Sequence, residues 1–337
     1  MWIYYKILFI TSLMIGTMIS ISSYSWMGMW MGLEINLLSF IPLMTDAKNK
    51  MATEAALKYF IVQAMASTFL LFSIIILSLN FSYNLNFNMY FSLIFNTSLL
   101  TKMGAAPFHF WFPEVMDGLN WTNSAILLIW QKIAPMALIM YSNQTTVYFI
   151  IVIILSMLIS GLMGMNQTSL RKILAYSSIN HIGWMLSTIL IMETVWLYYF
   201  TIYTIINLNI VIMFKKLNIF YVNQLYISLN QNPMIKFFFM LNFLSLGGLP
   251  PFLGFFPKWL VINSLIQSNF YFLTLLMTVM TLLTLYFYLR ITFSTILISS
   301  NEMNFHHQRK INKFLMFTLS LVTLASLILS TLAFNFM

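Results

Sequence analysis

Of the 337 residues, 61% are hydrophobic and 7% charged, with a mean hydropathy of +0.87 and a formal net charge of +9. So few polar side chains cannot cover a soluble domain, so the composition describes an integral membrane protein. Cysteine is absent, which excludes disulfides, cysteine-ligated metals and iron–sulfur clusters.

The apolar material comes in stretches of about 20 residues, the length of a helix crossing the hydrocarbon core. The short alternating strands of a membrane barrel do not occur. Apolar runs bounded by polar punctuation predict about eleven helices. They cover residues 3–21, 24–44, 53–79, 88–116, 122–142, 145–165, 170–190, 194–214, 234–264, 269–292 and 312–333. The first begins almost at the N-terminus, without the Arg- and Ser-rich amphipathic leader of an imported protein. Phe (32) and Met (27) are over-used, as AT-rich coding with an extra Met codon would produce. Both observations lead us to expect a polypeptide made inside an organelle.

Along the chain, charges inside these spans are few and therefore informative. At a helix centre a Lys, Arg or Asp costs about 2.5–3.5 kcal/mol, so it needs a partner, water or a function. In the second span Glu34 sits near the middle, with Gly28 and Gly32 forming a GxxxG packing seam on roughly the opposite face. Glu54 and Lys58 open the third span as a structural i,i+4 pair. In the fourth span Lys102 precedes a break at Gly104 and Pro107, with Glu114 beyond it. Lys132 lies in the fifth span and His181 well inside the seventh. The ninth is broken at Gly248 and Pro251 and followed by Lys258. His109, Asp117, His306 and His307 read as loop or interfacial residues, with no metal-ligand spacing among them. Taken singly, the lysines can snorkel to the interface and His181 can be a hydrogen-bonded core residue. Taken together, one carboxylate, three lysines and a histidine on five spans are the parts of a proton path. A buried lysine near a carboxylate switches between neutral and charged forms, and a helix break makes room for water.

Connection charges are lopsided. Lys48 and Lys50 follow the second span, Arg171 and Lys172 the sixth, Lys215 and Lys216 the eighth, and Arg309, Lys310 and Lys313 the tenth. The positive-inside tendency puts these connections and the N-terminus on the side of synthesis, and the C-terminus opposite. The net charge is thus a matter of topology, and no nucleic-acid partner is expected.

An internal repeat is also present. GAAPFHFWFPE begins at Gly104 and GLPPFLGFFPK at Gly248, an offset of 144 residues. Gly104, Pro107, Phe108, Phe112 and Pro113 match Gly248, Pro251, Phe252, Phe256 and Pro257 at that offset. With one copy in the fourth span and one in the ninth, the unit is five helices, and an odd unit inserts its second copy inverted. The expected fold is all-α: a single membrane domain of two inverted repeats (3–142 and 145–295), each with a broken fourth helix, and a C-terminal helix at 312–333. Interrupted helices at matching positions of inverted repeats point to a transport site.

The motifs WMGLEINLLSFIPL, KMGAAPFHFWFPE, WQKIAP, NQTSLRKILAYSSINHIGWM and LGGLPPFLGFFPKW resemble, in order, those of the antiporter-like membrane subunits of mitochondrial NADH:ubiquinone oxidoreductase, respiratory complex I. The similarity runs over nearly the whole chain. Bacterial members carry three further N-terminal helices, and this sequence begins where animal mitochondrial members begin. The resemblance implies a matrix N-terminus and an intermembrane-space C-terminus. It implies that Glu34 modulates Lys102, that Lys132 is the central relay residue and Lys258 the terminal one, and that His181 belongs to a recurrent motif. Implied partners are other membrane-arm subunits, including neighbouring antiporter-like chains, and membrane lipids. No cofactor is expected in this chain: NADH, FMN, iron–sulfur clusters and ubiquinone would be bound elsewhere in the complex. The expected function is proton translocation across the inner membrane, coupled to redox chemistry in other subunits. Two alternatives stay open: a stand-alone cation/proton antiporter, and a structural subunit without its own proton path. Residues 80–90 and 216–235 look idiosyncratic, and Glu114 is expected at the interface.

Overall fold

The computed structural model describes residues 2–46, 49–83, 88–142, 145–230, 233–250 and 252–297. The helix expected over 312–333, Pro251, Lys48, His306, His307, Arg309, Lys310 and Lys313 lie outside the described residues. Regular structure among the described residues is helical, with one isolated bridge between Ser169 and Tyr221. The chain divides into two compact units, Met1–Ser156 and Met157–Met337.

In the first unit, α1 (Trp2–Ser22) and α2 (Trp26–Met44) form a close antiparallel pair. The seam is made by Gly32 and Gly16 rather than by Gly28. A Cβ on Gly32 would stand 2.5 Å from the Ser20 amide nitrogen and 2.8 Å from the Gly16 carbonyl. Without lipid–water surface tension to drive them together, membrane helices gain most from such small-residue contact. The long α3 (Lys50–Tyr83) packs on α2, on α4 (Asn88–Met103) and on the short α5 (Trp111–Gly118). Next, α6 (Trp121–Tyr141) rests against α1, α2 and α4. The helix α7 (Thr146–Met165) ends the first half of the sequence.

The second unit is organised round α8 (Leu170–Ile189), in which every residue from Ile173 to Ile189 is buried. It packs on α9 (Glu193–Leu217), α12 (Phe255–Gln267) and α13 (Tyr271–Leu297). Between these lie α10 (Val222–Asn230), which the apolar pattern does not predict, and α11 (Pro233–Gly247).

Seven of these helices are long and apolar enough to cross a membrane: α1, α2, α3, α6, α7, α9 and α13. The expected fourth and ninth spans are absent from this set because each is two helices, α4 with α5 and α11 with α12. The expected seventh span, α8, is a full 20 residues, but its buried Ser177, Ser178, Asn180 and His181 lower its hydropathy. These buried polar groups are tolerated because each is bonded within the protein, Ser177 and Ser178 to backbone carbonyls, Asn180 to Thr284 and His181 to Tyr199.

Candidate functional site

Both interruptions are built the same way. In α4, Gly104 takes φ +74, its amide donates to the Thr101 carbonyl, and the Ala105 amide reaches back to Leu100 at 3.1 Å. In α11, Gly248 takes φ +79, its amide donates to Ser245, and the Leu249 amide reaches back to Leu244 at 3.4 Å. This pair of bonds around a left-handed glycine is the Schellman ending, and other residues pay a steric penalty at that φ. Four more carbonyl-directed bonds complete the ends, as an apolar surrounding requires. Trp111 Nε1 donates to the Thr101 carbonyl (3.1 Å) and Gln63 Nε2 to that of Lys102 (3.2 Å). Phe108 bonds Ala105 in the first loop, and Lys258 Nζ donates to Gly247, the last residue of α11, at 2.8 Å. These carbonyls therefore have protein donors, where the sequence alone leaves them to water.

Each interruption also carries a buried lysine at the negative end of a half-helix, the terminus that favours a cation. Lys102 is in the last turn of α4 itself. Lys258 comes from α12 and folds back onto α11. Sequence offset pairs Lys258 with Glu114, yet Lys258 bonds the end of α11 whereas Glu114 pairs with Lys58. The glycines face different neighbours: Gly104 lies against Phe112, Gly248 against the Lys258 side chain.

In the first unit, Lys132 of α6 is 1% exposed, and its ammonium stands 5.8 Å from the centre of the Phe112 ring. Phe112 thus touches the break on one side and Lys132 on the other. Within α6, Pro135 has no N–H to give the carbonyl of Gln131, which therefore lacks its usual helical donor next to Lys132. Glu34 of α2 is partly buried, with Oε1 shielded and without a hydrogen bond among the described residues; Lys102 Nζ is in the same situation. The two are not an ion pair within 4.0 Å. Tyr59 is hydrogen-bonded to Gln131 Oε1 at 3.5 Å, and Gln131 Nε2 donates to Asn36 Oδ1 at 3.0 Å. In this chain of neutral polar groups Asn36 lies two residues from Glu34, Gln131 in the middle is next to Lys132 in sequence, and Tyr59 is the far end. It was missed in the sequence; the signal was the polar residue next to each charge, in LEIN and WQKI.

Lys58 is paired with Glu114 of α5 at 2.5 Å rather than with Glu54. Both side chains are about half exposed (54% and 55%), and α5 reaches Lys58 because it packs on α3. His109 is buried in the interruption, with Nδ1 3.2 Å from the Pro107 carbonyl.

In the second unit, the Lys258 ammonium lies 5.9 Å from the ring centre of Trp184 on α8. Three residues earlier on α8, His181 is buried, with Nδ1 hydrogen-bonded to the Tyr199 hydroxyl at 2.8 Å and the Tyr203 ring centred 5.0 Å away. A cavity of about 10 Å³, the smallest that holds a water, connects His181, Tyr199 and Ser245 with Gly254 and Pro257 beyond the second break. Among the described residues no group of His, Asp and Glu is arranged to hold a metal ion.

A helical membrane protein with matched interruptions and buried titratable side chains is the class that these features define. Residues 23–284 match the family model described as NADH:quinone oxidoreductase/Mrp antiporter, transmembrane. The chain is 49% identical to NADH-ubiquinone oxidoreductase chain 2 of Locusta migratoria, over 91% of this chain and 90% of the relative. It is 52% identical to the Anopheles gambiae protein of the same name, over 87% and 86%. A chain of respiratory complex I from Thermus thermophilus superimposes with a TM-score of 0.83 at 22% identity, over 96% of this chain and 77% of that one, a likeness of fold. The chain belongs to the NADH-ubiquinone oxidoreductase chain 2 family, within that wider class.

Proposed function

We propose that this chain is a membrane-arm subunit of NADH:ubiquinone oxidoreductase in the mitochondrial inner membrane, and that it translocates protons through a Glu/Lys relay. Its fold in this reading is about eleven spans in two inverted five-helix repeats, with the N-terminus in the matrix and the C-terminus in the intermembrane space. Redox chemistry belongs to other subunits; the chain has no cysteine for a cluster and no Gly-rich nucleotide loop. Neighbouring membrane-arm chains, antiporter-like ones among them, supply the driving energy by electrostatic or conformational coupling.

The observation that carries this reading is the pair of matched breaks, with a buried lysine in the last turn of α4 at the first and Lys258 Nζ bonded to the last residue of α11 at the second. A change of protonation or position in the Glu34–Lys102 couple alters the proton affinity of Lys132, and then that of Lys258. The Tyr59–Gln131–Asn36 chain supports the first step, because it links the surroundings of Glu34 with those of Lys132 through groups that both donate and accept. Moving one charge against the membrane potential costs about 2.3 kcal/mol per 100 mV, within reach of a modest coupling per step. His181, with Tyr199 and the adjoining cavity, is a further relay element of the second unit.

The test is pumping by the assembled complex in sealed vesicles. Lys102→Ala, Glu34→Gln and Lys258→Ala are each expected to lower protons moved per NADH oxidised while the complex still assembles. Normal pumping and coupled turnover in all three would leave a structural subunit as the correct description.

A further inference from the structure

At one end of the second unit lies a cavity of about 310 Å³ that plays no part in the relay. Its floor is tied together by backbone bonds: the Leu170 amide donates to Phe220, the Val222 amide to Thr168, and Ser169 bridges Tyr221. The turn after α7 and the turn before α10 therefore form one wall, and the C-terminal part of α13 forms the other. Gln167, Thr168 and Asn223 supply neutral hydrogen-bonding groups, and Arg290 of α13 supplies a guanidinium. One guanidinium nitrogen of the exposed Arg290 donates to the Met165 carbonyl at 3.0 Å, and among the described residues its other N–H groups have no partner. Phe287 and Ile291 line the same space with apolar surface.

The charge here is one-sided. Among the described residues, no carboxylate lines the cavity. The described acidic residue of this unit, Glu193, sits in the first turn of α9, whereas Lys215 and Lys216 sit in its last turn, about 35 Å away along a helix of this length. Arg171 and Lys172 open α8 directly after the bridged turn, with the Arg171 guanidinium 4.8 Å from the Phe220 ring centre. This is the end where the cation-rich connections gather, the side that the charge distribution assigns to the compartment of synthesis. A guanidinium beside neutral donors matches a phosphate's oxygens, and an adjoining apolar wall matches what is attached to a phosphate at a bilayer surface.

We propose that this cavity binds a phosphate-bearing anion, with Arg290 as its principal contact, and that the bilayer supplies it as the headgroup of an anionic phospholipid. The site's size falls at the lower end of the range for small-ligand pockets and exceeds what a lone phosphate fills. It is independent of the proton relay, so the two readings stand or fall separately.

The test uses the full chain in nanodiscs of equal parts phosphatidylcholine and phosphatidylglycerol, with retained lipid identified by native mass spectrometry in mild detergent. The wild-type chain is expected to retain phosphatidylglycerol about tenfold over phosphatidylcholine, the equivalent of one charge-assisted hydrogen bond. Arg290→Gln should abolish the preference and Arg290→Lys keep part of it. A second arm measures uptake of inorganic phosphate by the chain in phosphatidylcholine nanodiscs. Phosphate uptake that depends on Arg290, without any lipid preference, would support the anion site and assign it to a free anion. A wild-type chain that shows neither lipid preference nor phosphate uptake would overturn the proposal, whatever the variants do. So would an Arg290→Gln chain that folds and behaves as wild type in both arms.

Discussion

Gly248→Ala probes whether the second break and its lysine form one unit. The new Cβ would stand 2.8 Å from both Cδ and Nζ of Lys258 and 3.0 Å from Cε, at a residue whose φ is +79. Two costs follow. The left-handed conformation with a Cβ costs about 1–2 kcal/mol. Displacing the ammonium breaks its 2.8 Å bond to the Gly247 carbonyl, a charge-assisted bond of about 1.5–3 kcal/mol. The assay is a double-mutant cycle with Lys258→Ala on the full chain, read as unfolding free energy from a denaturant titration in mixed micelles. In the Lys258→Ala background only the backbone strain should remain, so the coupling between the two sites should be about 1.5 kcal/mol or more. Additive costs would refute the reasoning, because they would mean that the glycine is needed for its φ alone. In the assembled complex the same substitution should lower pumping, since the ammonium no longer sits at the end of α11.

The matching substitution Gly104→Ala should leave Lys258 chemistry intact and instead press on Phe112, whose Cβ would lie 3.0 Å away. Left-handed strain of about 1–2 kcal/mol and overpacking of about 1–3 kcal/mol are expected in the same titration. Tyr199→Phe removes the hydroxyl at His181 Nδ1 while keeping the ring. Pumping should fall with assembly unchanged, and unaltered pumping would make His181 a packed core residue. Gly32→Leu forces a side chain into the Ser20 and Gly16 backbone, so α1 and α2 must separate and complex yield on a native gel should drop sharply. Glu114→Gln and Lys58→Ala remove a half-exposed ion pair, a type that contributes little. Both variants should keep wild-type stability and pumping; a pumping loss in Glu114→Gln alone would make that carboxylate a gate.

The amino-acid sequence by itself determined the solvent of this protein and the residues worth asking about. Length and composition required a bilayer, and scarcity made each internal charge conspicuous. The two glycine–proline stretches were legible because Gly and Pro act locally: a left-handed glycine ends its own helix through bonds to residues three and five positions back. Glu34, Lys102, Lys132, His181 and Lys258 were found for the same reason, each being costly where it stands. Partnerships were not legible, since they depend on which helices lie side by side. Lys58 takes Glu114 of α5 over its neighbour Glu54 because packing brings α5 across α3. Tyr59, Gln131 and Asn36 meet from three helices, and nothing in their spacing announces it. Linear offset matched Lys258 to Glu114, whereas the fold sets its ammonium at the end of α11. Hydropathy likewise undervalues α8, because its buried polar side chains find hydrogen-bond partners inside the protein. Local stereochemistry can be read from one strand of text; burial and contact are properties of the packed helices, and only the tertiary structure decides them.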